Sequence, residues 1–151
     1  MDIAKPTDWE TFPLPANRIA IPLDRRFSKE EMERIRRGAV PEVMEDKWFV
    51  YWQEDRLYFH RSWTGRCIYV VRFEEEEDGF RMVEAYVNGD REEYNKSDFS
   101  DEPARISYLI DVLLLRIPSK YPTTITDEVE QFLNNWVQVG RAMFGDSSRS
   151  E

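Results

Sequence analysis

Residues 47–87 read KWFVYWQEDRLYFHRSWTGRCIYVVRFEEEEDGFRMVEAYV. Aromatic and β-branched side chains crowd this stretch, and both favour the pleated, half-buried surface of a strand. Turn chemistry interrupts it at Gln53–Asp55, Thr64–Gly65 and Asp78–Gly79, and again beyond it at Asn88–Gly89. Glycine supplies the positive φ that tight reversals need. Breaks about every ten residues predict consecutive hairpins, with strands over 47–52, 56–63, 66–75 and 80–87 and a short fifth one at 91–94. Trp48, Val50 and Trp52 share one face of the first of these strands, and Phe49 and Tyr51 share the other. Both faces are therefore apolar, so either helices cover both or an aromatic patch is exposed.

The flanks are read from this meander outward. Residues 1–16 form an irregular arm, because Pro6, Pro13 and Pro15 exclude a regular element, with Trp9, Phe12 and Leu14 to pin it down. A short strand, Arg18 to Leu23, follows, with Pro22 placing it at a sheet edge. Ser28 with Glu31 makes a capping box, Phe27 and Met32 a hydrophobic staple, and Gly38 a stop, which together predict a surface helix over 28–37. Ile106, Leu109, Ile110, Leu113, Leu114 and Ile117 follow helical spacing from a Ser100 cap to Pro118. Tyr108, Val112 and Leu115 make the other side apolar too, so this helix is expected to be buried nearly all round. A last helix is read from Thr126, with Val129, Phe132, Leu133, Trp136, Val137 and Met143 as its buried stripe, and 146–151 as a flexible tail. The expected fold is one α+β domain over 1–151. It has an antiparallel meander of four to five strands and three helices, the two C-terminal ones packing on the sheet.

Composition bounds the function. The chain has 151 residues, 14% of them aromatic, and a formal charge of −9. Such a chain repels nucleic acid and anionic lipid, and favours solubility or a basic partner. Residues 18–37 depart from this trend with seven basic and four acidic groups; a solvated helix face accounts for them. The opening residues show no apolar leader and the longest apolar run, 106–117, is too short to span a bilayer. The expected compartment is the cytoplasm of a prokaryote-like cell, with no membrane association.

Chemistry concentrates at His60-Arg61-Ser62-Trp63-Thr64-Gly65-Arg66-Cys67, which holds the sole histidine and sole cysteine. A Cys–His pair can generate an activated thiolate. A two-residue Thr64–Gly65 turn would set His60 opposite Tyr69 and diagonal to Cys67, on one face; Trp63 and Arg66 would then pair as a cation–π contact. A three-residue loop moves the register by one, so His60 faces Ile68 and Cys67 turns away. Positive φ at β-branched Thr64 is resisted, which favours the three-residue loop. No catalytic residue is assigned. His60, Arg61, Ser62, Trp63, Thr64 and Arg66 are the candidate ligand-binding residues, gathered around a phosphate or carboxylate. One cysteine cannot build a zinc site, and no cofactor motif occurs. The leading expectation is a non-enzymatic protein-binding or regulatory module, of which small acidic antitoxin or immunity proteins are one instance. The alternative is a small anionic-ligand-binding or enzymatic site at this hairpin.

The block Met44-Glu45-Asp46-Lys47-Trp48-Phe49, then Leu57 to Gly65, then Cys67-Ile68-Tyr69-Val70, resembles a signature of uncharacterised bacterial proteins. The resemblance covers about a fifth of the chain. It implies a bacterial origin and brings no activity or assigned catalytic residues.

Overall fold

The computed structural model describes residues 3–95 and 98–118. Five strands form one antiparallel sheet: β1 (Arg18–Ser28), β2 (Trp48–Gln53), β3 (Arg56–Arg61), β4 (Cys67–Glu76) and β5 (Gly79–Asn88), in the order β1-β5-β4-β3-β2. The meander stands within a residue or two of expectation. The fifth strand is β1, not 91–94. Asp90 to Tyr94 instead make a turn, in which the Glu93 and Tyr94 amides donate to the Asp90 carbonyl. The strand read as Arg18 to Leu23 runs on to Ser28 and pairs with β5 along its length. A bulge between Pro22 and Arg25 absorbs the proline on this edge strand, where a missing N–H costs no ladder bond.

Ser28 ends β1 and caps α1 (Lys29–Arg37). Its Oγ accepts from the Glu31 amide, and the Glu31 carboxylate accepts from the Ser28 amide, which is the expected capping box. Met32 and Ile35 bury the helix against the sheet, while its other side carries the basic residues. Gly38, at φ 68°, stops it. A Cβ there would overlap the Val50 carbonyl, because residue 39 crosses onto the free edge of β2 and exchanges both backbone hydrogen bonds with Val50.

The helix expected over 100–117 is α2 (Glu102–Leu109), continued by a π-helical turn over Ile110–Leu115 and closed by Arg116 in the left-handed region. It is not buried all round: Val112 and Leu113 are only partly covered. Among the described residues there are thus two helices, not three. The helix read from Thr126 and the tail 146–151 lie outside the described residues.

Both helices pack on one face of the sheet. Met32, Ile35, Ile106, Leu109 and Leu114 meet Trp48, Val50, Leu57, Phe59, Val71, Phe73 and Val87 in the main core. The other face carries Phe49, Tyr51, Tyr58, His60, Cys67, Val70 and Tyr86. There the arm supplies the cover: Ala4 and Trp9 pack on Phe49 and Tyr51, and Leu14 packs beside Cys67 and Val70. A short 3-10 turn over Pro6–Asp8 bends the arm. The sheet that is apolar on both sides is therefore closed by helices on one side and by an irregular segment on the other. No helix among the described residues is long and apolar enough to cross a membrane.

Candidate functional site

The β3–β4 hairpin adopts neither expected register. The Arg61 amide donates to the Arg66 carbonyl at 2.9 Å, and the Gly65 amide donates to the Arg61 carbonyl at 2.8 Å. The loop is therefore four residues, Ser62 to Gly65, with φ 74° falling on Gly65 and sparing Thr64. Phe59 pairs with Tyr69 and His60 pairs with Cys67, so Ile68 is the extra residue of a β-bulge. The favoured reading, which separated His60 from Cys67, is overturned. The reason lies in the core: the bulge lets Ile68 and Tyr69 both turn toward the helices, and Cys67 then falls on the side of His60.

The pair is nonetheless unsuited to thiolate chemistry. Cys67 is buried and its thiol is pushed up to about 12 by desolvation. Burial also lowers His60 from its ordinary value, opposed by the bond to Gly65. Nδ1 of His60 lies 3.1 Å from the Gly65 carbonyl oxygen. A carbonyl only accepts, so Nδ1 carries the proton and Nε2 keeps the lone pair. Nε2 is buried and has no hydrogen-bond partner. The site therefore holds a neutral thiol and a neutral imidazole.

The six candidate ligand residues do not converge. His60 turns to the arm-covered face, against Tyr51 and Phe49. Arg61 lies over the Trp48 ring at 4.7 Å, on the helix-covered face. Ser62 donates to the Asp46 carbonyl at 2.6 Å and its own carbonyl accepts from Trp9 Nε1 at 2.8 Å. Thr64 Oγ1 accepts from the Arg66 amide. Arg66 reaches Glu93 and lies over Phe12, not over Trp63. Trp63 stands over Lys47 Nζ at 3.9 Å and donates to the Met44 carbonyl. The hairpin is a junction where the arm, the 42–47 loop and the sheet meet.

Next to Trp63 lies a surface that the sequence reading passed over. Asp46 accepts from the amides of Glu42 and Val43, tightening the loop before β2. That loop turns Val43 and Met44 outward, and Met44 is 66% exposed. Trp63 is 45% exposed beside it, and Ile3, Val40 and Ile117 are also exposed. Ile3, Val40, Val112, Leu113 and Arg116 share the wall of a cavity of about 500 Å³. The signal was present in the sequence: Val40, Val43 and Met44 are apolar residues in a segment without strand or helix periodicity.

A second cavity, about 370 Å³, lies on the arm-covered face between the arm and Tyr51, Tyr58 and Tyr86, with His60, Arg18 and Arg56 in its wall. A buried network inside the molecule also went unread: Glu102, fully buried, accepts from Tyr69 at 3.1 Å and from Tyr94 at 2.7 Å. Nothing in a helical spacing pattern marks such a glutamate. No group of three or more His, Cys, Asp or Glu side chains among the described residues could hold a metal ion.

No family model, no curated protein and no solved structure matches this chain.

Proposed function

We propose that this chain is a non-enzymatic protein-binding module whose contact surface is the apolar ledge formed by Val40, Val43, Met44 and Trp63. The exposure of Met44 and Trp63 side by side carries the reading. Large apolar side chains grouped at a surface, rimmed by polar ones, are what protein interfaces use, and tryptophan and methionine are enriched there. Trp63 is presented rather than loose: its indole N–H is held by Met44 and its face by Lys47. The adjoining groove gives a partner side chain somewhere to insert. A net charge of −9 favours encounter with a basic partner. The divergence of His60, Arg61 and Arg66 removes support from the rival reading of an anion site at the hairpin.

Photo-crosslinking tests this. Benzoylphenylalanine placed at Met44 is expected to give one adduct of discrete mass with a basic protein of the native host, and Val40→Asp with Val43→Asp abolishes it. Absence of an adduct, one that survives those substitutions, or an internal link to residues 119–151 of the same chain would each overturn the proposal.

A further inference from the structure

On the arm-covered face, away from the ledge, a different chemistry is assembled. We infer that the cavity between the arm and Tyr51, Tyr58 and Tyr86 binds a small planar anion, an aromatic carboxylate that also carries an O–H or N–H donor.

Four observations meet there. The first is space: about 370 Å³ lies within the range of small-ligand pockets, roughly 300–1,000 Å³, although near its lower end. The second is an unpaired acceptor. His60 is 2% exposed, lines the cavity, and has its Nδ1 occupied by Gly65, which leaves Nε2 as a buried lone pair with nothing donated to it. A buried acceptor without a partner costs stability, and natural proteins keep few of them. A ligand donor at Nε2 removes that cost.

The third is charge. Arg18 and Arg56 both line the cavity and no carboxylate does, in a chain that is otherwise acidic. Arg18 is held in place, since its Nε and one terminal nitrogen donate to the carbonyls of Pro15 and Leu14, both at 2.8 Å. Arg56 is held more loosely: its ion pair with Asp55 is long, at 3.7 Å, and its other anionic neighbour, Glu84, also lies outside the cavity wall. A guanidinium fork fits a carboxylate better than any neutral group.

The fourth is shape. Tyr51 stacks on Tyr58 with centroids 4.7 Å apart and planes 7° apart, and on His60 at 5.7 Å and 13°. The three rings are stacked and not coplanar, so what they offer a planar partner is the outer face of the stack. Tyr86 is fixed by donating to Glu84 at 2.8 Å, and lies under Arg56. The remaining wall, including Leu14 and Val70, is apolar. A donor aimed at His60 at one end and an anion at Arg56 at the other define the ligand class.

The sole histidine makes the test direct. 4-Hydroxybenzoate is titrated into the full chain while the ring nitrogens of His60 are followed by long-range ¹H–¹⁵N correlation. The expected result is a saturable shift of the Nε2 resonance with one-to-one stoichiometry. Arg56→Gln, at a partly exposed position, is expected to weaken binding at least about tenfold, as the loss of a charge-assisted contact should. Arg26→Gln, a guanidinium outside the cavity, is expected to leave it unchanged. An unmoved Nε2 resonance would overturn the inference and leave a resident water as the partner of that nitrogen. Equal binding of neutral 4-hydroxybenzamide, or full affinity in Arg56→Gln, would overturn the anionic class.

Discussion

Cys67 stands directly across the sheet from His60, and both side chains are buried beneath the N-terminal arm. The proximity does not activate the thiol. Desolvation dominates at Cys67 and outweighs the attraction of Arg18, so the neutral form persists to about pH 12. The folded protein is therefore expected to resist Ellman's reagent at pH 8, and to release one equivalent of thionitrobenzoate only in guanidinium. Rapid stoichiometric labelling of the native chain would contradict this burial.

His60 makes folding depend on pH. Burial holds it below its ordinary 6.5, so the unfolded chain takes up this proton more readily than the folded one. The stability contributed by the neutral imidazole is complete above about 6.5 and is lost as pH falls below it. Melting temperatures measured from pH 7.5 down to 5.5 are expected to decline, in a window above the ordinary carboxylate range. His60→Gln, which cannot take up a proton, should flatten the decline. An equal slope in both proteins would assign the effect elsewhere.

The Tyr69–Glu102–Tyr94 network ties β4, the turn after β5 and the start of α2 together in the core. Removing the carboxylate takes the acceptor from two buried hydroxyls and leaves them only each other, 3.1 Å apart, as partners. Glu102→Ala is expected to lower unfolding free energy by about 2–4 kcal/mol in urea titrations. Tyr94→Phe removes one donor and keeps the ring, at a cost of about 1 kcal/mol. A loss under about 0.5 kcal/mol for Glu102→Ala would show that the network contributes little net stability.

Gly65 serves two demands at once. Its φ is 74°, and a Cβ built there would come within 2.6 Å of the Glu10 carbonyl oxygen. Gly65→Ala is expected to cost about 1–3 kcal/mol and to free the arm. The Phe12 amide, which donates to the Gly65 carbonyl at 2.9 Å, reports the arm directly by hydrogen exchange. Trp9→Phe, which deletes the bond to the Ser62 carbonyl, should speed the same amide at a cost of about 1 kcal/mol. An unchanged Phe12 exchange rate in Gly65→Ala would mean that the arm holds without the hairpin.

The four meander strands were legible because their information is local. Aromatic and β-branched runs favour strand backbone wherever they lie, and turn residues punctuate them at the observed positions. The Ser28–Glu31 capping box was legible for the same reason, since its partners stand three residues apart. The candidate site was legible only as a segment: His60 to Arg66 is a place where much of the chain meets, but its side chains part to both faces. The 91–94 strand failed because Asp90 closes a turn on Glu93 and Tyr94, and the all-round burial of 100–117 failed because Val112 and Leu113 face a cavity.

The amino-acid sequence by itself determined an α+β chain with an aromatic antiparallel meander, a capped surface helix ahead of it and an apolar helix behind. Tertiary structure alone decided that β1 adds to β5, that the arm covers the second face, and that His60 meets Cys67. Periodicity and capping act between near neighbours, whereas register is set by what must be buried. Ile68 and Tyr69 both gain the core only if a bulge separates their strand's pairing, and that choice, made by the helices across the sheet, places Cys67 on the face of His60.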